Sequence, residues 1–384
     1  ATALDTGVVT LNVDGVSGNV FVLEDDGITL NNVPGTIGGL LDLQNAVGSA
    51  GTITIDDGGV VVGDSINIVA DGTLNVNGDV NSIGSTVVLT STDRSVNLAA
   101  NVLGDGVTVN ADVGGAVGDV NVTEAINNVR GGYALNAGDN IVVAATGSIN
   151  AVGTVALIAT GLIDINGTVA GDFGVSMVAN ENITLDADVN TIGLSGIIIT
   201  ADQDGGGAGD VIVGADAGSV ITAVSGTINI DGENIDLGAV AGDTAIVQTT
   251  GTGNVEMDAD TDITIFTKGA VDSGGTAKIG QSNAPDTATI GGNGVTAEGQ
   301  IDLTVTDTAD INSTIASTQG NVNITATDTD GDDSATVLVG ANLIASAVTV
   351  TAVDAGGVGI ITVDGASDNI LGSITLDVNN GSGT

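Results

Sequence analysis

Aliphatic and polar residues alternate along most of this chain, and the alternation is organised in a recurring pattern of fifteen residues. Each copy holds two alternating segments separated by three polar residues, such as the corner triplet Asp71-Gly72-Thr73. The clear copies begin at Ile66, Val88, Val155 and Val175, and looser copies begin at Ile141, Val255 and Ile301. Alternation with a period of two is typical of strands with one buried and one exposed face. The pattern therefore predicts pairs of short β-strands joined by tight corners.

The spacing of these copies predicts how the strands are arranged. The copies that begin at Ile66 and Val88, and those that begin at Val155 and Val175, are spaced as a repeat of about 20–23 residues requires. Repeats of this length without a helical segment predict an all-β, single-chain parallel β-helix, or β-solenoid, whose turns stack about 4.8 Å apart. At about 21 residues a turn, the chain would form roughly eighteen turns.

The same alternation assigns residues to the inside and the outside of the solenoid. Ile163, Ile165, Ile183 and Leu185 are predicted to point inward and to stack in rows on neighbouring turns. Their strand neighbours Asp164 and Thr184 are predicted to face outward.

A row of antiparallel sandwich domains is the alternative, because such domains also consist of short alternating strands. Sandwich domains of about 100 residues usually carry a large aromatic core residue. This chain has three Phe, one Tyr and no Trp in 384 residues, too few for three or four separate cores. Its slender aliphatic residues favour the narrow interior of a solenoid.

The regularity of the pattern varies along the chain and predicts its organisation. Residues 1–58 are predicted to be an irregular N-terminal cap or docking segment, because an end turn exposes both core and unpaired backbone. Residues 59–378 are predicted to form the solenoid, with loop insertions near 124–139 and 268–299, and residues 379–384 a tail. The uncharged run from Asn140 to Ile163 overlaps two copies of the pattern, so it is interpreted as solenoid core and not as a membrane span.

The charge balance narrows the range of partners. The chain has 48 acidic residues against four Lys and Arg, a formal net charge of −44. Nucleic acid is excluded as an expected partner, because contacts to phosphate need Lys and Arg. Acidic side chains also keep a long β-protein soluble and discourage aggregation through strand edges. The absence of Cys and His excludes disulfides, thiolate ligands and imidazole chemistry.

The acidic residues also suggest a cofactor, since oxygen-rich corners are what Ca²⁺ accepts. The two best acidic runs are residues 328–333 and residues 258–262. Neither is an EF-hand loop, and Ile263 stands where the second run would need Gly. The segment from Gly205 to Asp210 has part of a calcium-binding nonapeptide, with Ala208 in place of a required Gly. The candidate metal ligands are Asp328, Asp330, Asp332 and Asp333 in one run, and Asp258, Asp260 and Asp262 in the other.

Three segments carry a resemblance to a known family. Residues 153–169 (GTVALIATGLIDINGTV) resemble the repeats of filamentous-haemagglutinin-like exoproteins, and residues 226–232 (GTINIDG) and 320–327 (GNVNITAT) are similar. The resemblance implies a right-handed parallel β-helix, secretion to the bacterial cell surface, and a role in attachment or filaments. This chain departs from the family in being unusually acidic and in lacking a recognisable secretion domain.

Together these features predict a non-enzymatic extracellular structural protein, the subunit of a fibre, filament or surface layer that self-associates end to end. The alternative is the stalk of a secreted adhesin. A polysaccharide-cleaving β-helix is disfavoured, because the chain has no His or Trp and only four basic residues; a groove where Arg130 or a lysine meets paired acids would favour it. An ice-binding face is disfavoured because Thr-x-Thr pairs such as Thr304 and Thr306 do not recur at the spacing of the turns.

Overall fold

Every regular element of the described structure is a β-strand, as the alternation predicts. The structure, a computed structural model, describes residues 4–5, 10–11, 17–31, 37–57, 61–207, 209–215, 218–238, 244–281, 284–329, 334–355, 358–363 and 373–380. Within these ranges the backbone forms strands, turns and bends and no helix. The described residues accordingly include no apolar helix of the length needed to cross a membrane. The chain divides into two compact units, Ala1–Glu181 and Asn182–Thr384.

The first unit contains short strands separated by corners of a few residues. They are β1 (Leu4–Asp5), β2 (Thr10–Leu11), β3 (Val20–Glu24), β4 (Ile28–Leu30), β5 (Ile37–Asn45), β6 (Ile53–Ile55), β7 (Val61–Ala70), β8 (Leu74–Val76), β9 (Val80–Ser82), β10 (Thr86–Ser91), β11 (Val96–Leu98), β12 (Val102–Leu103), β13 (Gly106–Ala111), β14 (Val120–Val122), β15 (Ala125–Asn128), β16 (Gly132–Ala137), β17 (Ile141–Val143), β18 (Ser148–Ala151), β19 (Thr154–Ala159), β20 (Ile163–Ile165), β21 (Val169–Gly171) and β22 (Gly174–Ala179).

The second unit continues with the same kind of strand. They are β23 (Ile183–Leu185), β24 (Val189–Thr191), β25 (Ile197–Thr200), β26 (Val211–Val213), β27 (Ser219–Ala223), β28 (Ile228–Leu237), β29 (Ala245–Thr249), β30 (Val255–Ile265), β31 (Gly269–Ser273), β32 (Ala277–Ile279), β33 (Thr287–Ile290), β34 (Gly294–Ala297), β35 (Ile301–Val305), β36 (Thr308–Ile311), β37 (Ile315–Ser317), β38 (Val322–Asp328), β39 (Thr336–Val339), β40 (Leu343–Ile344), β41 (Ala347–Asp354), β42 (Ile360–Val363) and β43 (Ser373–Asn380).

Within each unit the strands stack in parallel columns. In the first unit one column runs through β10, β13, β16, β19 and β22, a second through β8, β11, β14, β17 and β20, and a third through β15, β18 and β21. In the second unit the corresponding columns include β32, β35, β38 and β41, then β33, β36, β39 and β42, then β27, β29, β31 and β34. Every described strand pair is parallel, so the fold is a parallel β-solenoid and the sandwich alternative is wrong.

The predicted inward positions of Ile163, Ile165, Ile183 and Leu185 are confirmed, whereas the copy that begins at Val88 is one residue out of register in its first segment, because Val87 and Leu89 are buried there and Val88 faces outward. Ile163 and Ile165 lie fully buried beneath Ile141 and Val143 of the neighbouring turn, in register. In the second unit Ile183 and Leu185 are likewise buried and in register with Val211 and Val213. The intervening Asp164 and Thr184 are partly exposed. The core is therefore a set of aliphatic rows, each of which gains stability by the removal of apolar surface from water.

The predicted repeat length holds for many turns, while others are longer. Leu135 pairs with Leu157 and Leu157 with Met177, and both of these steps match the predicted repeat. The step from Ile199 to its partner Ile230 is longer than the predicted repeat. The structure has about 14 turns in place of the expected eighteen. The extra residues lie in corners, where they leave the pairing of the strands intact.

The two segments expected to hold loop insertions both contain strands. Residues 124–139 contain β15 and β16, and residues 268–299 contain β31, β32, β33 and β34. Several inward positions of these strands hold small or polar residues, such as Asn128, Gly269 and Ala277. The alternation of aliphatic and polar residues is therefore difficult to recognise in the sequence of these segments. A long corner lies between β25 and β26.

The predicted terminal segments also contain strands. Within residues 1–58, β3 and β4 pair in parallel with β5 and β6, so the described part of this segment has the pairing of solenoid turns. A capping or docking role for the segment stays a prediction. At the other end, β43 extends into the expected tail as far as Asn380, and residues 381–384 lie outside the described residues.

Asparagine side chains form hydrogen-bonded rows on the outer surface of the first unit. The Asn97 amide donates to Asn75 Oδ1 at 2.8 Å, and the Asn121 amide donates to Asn97 Oδ1 at 2.9 Å. These three residues are register partners on consecutive turns. Because an amide both donates and accepts, identical residues one turn apart satisfy one another. The rows therefore tie adjacent turns together outside the core.

Candidate acidic site

Among the described residues, a group of interacting carboxylates lies in the second unit, across three consecutive turns formed by β25, β28 and β30. Parallel register aligns Thr200 with Asp231, and Asp231 with Asp258. Since neighbouring strands are about 4.8 Å apart, the two aspartates lie one above the other on the same face. The register thus concentrates negative charge at the end of this column.

The corner that follows β25 brings a further acid to this group. Asp202 has a positive φ of 53°, and Gly207 has a φ of 70°, so the chain turns back sharply here. The Gly207 amide donates to both carboxylate oxygens of Asp202, each at 3.0 Å. The Glu233 amide donates to the Gly209 carbonyl at 2.8 Å, which anchors the corner to the next turn. The corner therefore holds Asp202 beside the acids of β28.

Three of these acids could act together on a cation. Asp202, Glu233 and Asp260 each offer a carboxylate oxygen, and these oxygens lie within 4.8 Å of one another. Asp202 and Glu233 are half-buried, whereas Asp260 is exposed. Thr261 donates its hydroxyl proton to Glu233 Oε1 at 2.5 Å. A set of carboxylate oxygens is the donor type that Ca²⁺ accepts.

The electrostatics of the group are those of crowded like charges. Asp202, Asp231 and Asp260 border a shallow polar depression that also includes Thr200, Gln203 and Gly232. Burial raises the pKa of Asp231, and the nearby Asp258, Asp260 and Asp202 raise it further. Partial desolvation of its carboxyl also raises the pKa of Asp260, although the residue as a whole is exposed, and the charges of Glu233 and Asp202 add to the effect. Like charges in a partly desolvated place make each ionised carboxylate unfavourable.

A second group of closely spaced carboxylates lies further along β28. Burial raises the pKa of Asp236, and the charges of Asp210 and Asp262 add to the effect. Asn234 donates its amide to Asp210 Oδ1 at 2.8 Å, which relieves one of these acids.

The structure distributes the predicted metal ligands over different environments. Asp260 belongs to the group of three, Asp258 is half-buried opposite Asp231, and Asp262 lies opposite Asn234. Asp328 is buried in register with Asp354. Asp330, Asp332 and Asp333 lie outside the described residues. The run 258–262 therefore supplies one member of a group whose other members come from different turns.

Asp202, Glu233 and Asp231 were not identified from the sequence. Asp231 carries a detectable signal, because residues 228–231 (INID) align with residues 255–258 (VEMD), which predicts that the two aspartates stack. Asp202 carries none, since the long step between Ile199 and Ile230 falls outside the expected repeat.

Two of the four basic residues, Arg130 and Lys278, make contacts that the structure describes. Arg130 donates to the backbone carbonyls of Ser82 and Ile83, and its Nε lies 3.8 Å from Asp105 Oδ1. Lys278 Nζ lies 3.0 Å from Glu256 Oε1 on a strand face, and this hydrogen bond raises the pKa of Lys278.

The acid crowding predicts an unusual pH dependence. A carboxyl whose folded pKa is raised favours folding most below its unfolded pKa of 3.8, and that contribution is lost as the pH rises through the folded pKa. We therefore expect Asp231→Asn to raise the urea midpoint at pH 7, with the difference disappearing below pH 3.8. Asp93→Asn, which removes an exposed charge in the first unit, is the matched control. An equal gain from both variants would attribute the effect to net charge alone.

Comparison with known proteins does not indicate a function, so any inference about function rests on the fold and the local chemistry. No family model matches the chain, and no curated protein or solved structure resembles it closely enough to count as a match. The resemblance to filamentous-haemagglutinin-like repeats therefore rests on the quoted segments alone.

Proposed function

We propose that this chain is a non-enzymatic structural protein, a subunit of a fibre, filament or surface layer outside a bacterial cell. The observation that carries the proposal is the apolar strand edge at β43. Its side chains Ile374 and Leu376 are 48% and 53% exposed, although their register partners Val348 and Val350 on β41 are 1% exposed. Among the described residues, this edge has the composition of a core row and the exposure of a surface.

Such an edge can accept another turn. A parallel strand that is paired on one side presents unpaired backbone groups on the other, and a second β-rich chain can add to it. Val339, Leu343 and Val363 lie beside Leu376 around a small apolar cavity at this edge. A further copy of the chain that stacked here would bury these residues, and repetition of one such contact generates a filament.

The acidic surface supports a role for calcium in this assembly. With a net charge of −44, copies repel one another, and adjacent turns stack acids such as Asp231 and Asp258. Divalent cations relieve repulsion between carboxylates, so the proposed assembly is favoured by Ca²⁺. The resemblance to secreted exoproteins supports the extracellular location.

The alternative is the stalk of a secreted adhesin, in which the same rigid β-solenoid works as a single copy. The resemblance of residues 153–169 to filamentous-haemagglutinin-like repeats favours this second function. The two functions differ in whether copies associate.

Assembly can be measured on the purified chain with and without millimolar calcium, by sedimentation and electron microscopy. We expect end-to-end oligomers or filaments with calcium, and fewer after chelation. Leu376→Asp should abolish them by charging the apolar edge, whereas Thr375→Asp, exposed on the same strand, should leave them largely intact. A monodisperse monomer at high protein concentration with calcium contradicts the assembly proposal and favours the adhesin stalk.

A further inference from the structure

The first turns of the solenoid carry two large polar side chains where later turns carry small ones. The column at the end of β10, β13, β16, β19 and β22 holds Ser91, Ala111, Ala137, Ala159 and Ala179, all buried and in register. At the same inward position of β3 and β5 stand Glu24 and Asn45, which are register partners. They are 1% and 5% exposed. A carboxylate and an amide therefore occupy a column that in these later turns holds only serine and alanine.

The orientation of the Asn45 amide is set by its surroundings. Asn45 Nδ2 donates to the backbone carbonyl of Asp26, in the corner of the turn that contains Glu24. Exchanging the amide oxygen and nitrogen would place two acceptors against each other, so the nitrogen must face Asp26. Asn45 Oδ1 consequently faces elsewhere in the column, and it is buried without a hydrogen-bond partner among the described residues.

A buried acceptor without a donor is costly, and removing a carboxylate from water is costly as well. A positively charged occupant at Asn45 Oδ1 would lower the first of these costs. The neighbouring Asp25 and Asp26 are exposed acids, and they add negative potential at this corner. Carboxylate and amide oxygens are hard ligands, and Ca²⁺ accepts about six to eight such oxygens in flexible geometry.

We propose that Glu24 and Asn45 form a buried site in the first unit for a hard, oxygen-preferring cation. The ion that we propose binds there is Ca²⁺. This site is separate from the acidic group around Asp202, and it does not depend on the assembly of copies. Its role is to stabilise the first turns, since an ion that binds only the folded state raises the free energy of unfolding.

The test uses the full chain after chelation, with calcium or magnesium added in excess monovalent salt to suppress diffuse binding. The double variant Glu24→Ala, Asn45→Ala gives this column the alanine that four later turns carry, so it is expected to fold. We expect calcium to raise the urea midpoint of the wild-type chain, and we expect the double variant to lose most of that increase. Asp93→Ala, which removes an exposed acid from another corner of the first unit, should respond to calcium as the wild type does.

Two outcomes would contradict the proposal of a cation site at Glu24 and Asn45. The first is a calcium-dependent increase of equal size in the double variant and the wild type. The second is a crystal structure, grown with terbium as a calcium substitute, that shows a water at Asn45 Oδ1 and no anomalous peak there. A peak at about 2.3–2.6 Å from this oxygen, as calcium-type coordination requires, supports the proposal.

Discussion

Replacing Leu185 by Asp is expected to destabilise the second unit by several kcal/mol, because an unpaired charge would enter a dry aliphatic row. Leu185 is fully buried and in register with Val213 on the next turn, so the carboxylate would have neither water nor a partner. The expected result is a large fall in the urea midpoint, or loss of the cooperative transition, measured by circular dichroism.

The matched control lies one residue away. Thr184 is partly exposed on the same strand and faces the opposite side, so Thr184→Asp introduces the same charge into water. We expect it to change the free energy of unfolding by less than about 0.5 kcal/mol. Equal effects from the two substitutions would mean that the assignment of inward and outward positions on β23 is incorrect.

Replacing Tyr133 by Ala is expected to destabilise the first unit by about 3–5 kcal/mol, the usual cost of removing a large core side chain. Tyr133 is 2% exposed, and it occupies the inward row between Val107 and Val155. Its hydroxyl donates to the Val102 carbonyl at 2.7 Å, and burial raises the pKa of the phenol so that it keeps this proton. Urea unfolding followed by circular dichroism measures the loss.

Tyr133→Phe separates packing from hydrogen bonding. The ring remains, and only the bond to the Val102 carbonyl is lost, so a cost of about 1 kcal/mol is expected. A small effect of the alanine variant, similar to that of the phenylalanine variant, would show that the ring does not fill the core.

Local alternation was enough to predict the fold because it is the direct mark of a strand with one buried face. Ile165 and Leu185 were assigned inward on that basis, and both are buried. Corners such as Asp71-Gly72-Thr73 were recognised because turn-forming residues interrupt the alternation. Tyr133 was assigned to a loop because residues 124–139 were interpreted as a break in the alternation.

The acidic group could be predicted only in part, because it depends on which residues of different turns become neighbours. Asp258 and Asp260 were identified as a local run, but their partners Asp231 and Asp202 are fixed by register and by a long corner. Glu24 and Asn45 were missed for a related reason. Polar residues at inward positions look like an end of the solenoid until pairing shows that β3 and β5 belong to it.

The pairing of parallel turns in register is the central claim, and disulfide trapping tests it most directly because the chain has no Cys. Thr90 and Asn110 are register partners on β10 and β13, and both face outward. Cysteines at these positions would lie about 4.8 Å apart, within the range that a disulfide can bridge. Val88 lies on the same face but two residues out of register with Asn110, at about 8 Å.

Mass spectrometry after mild oxidation of the two double-cysteine variants gives the decisive comparison. The parallel register predicts a disulfide in Thr90→Cys, Asn110→Cys and little or none in Val88→Cys, Asn110→Cys. Trapping of the second pair in preference to the first, or of neither, would contradict the stacking of turns described for this chain.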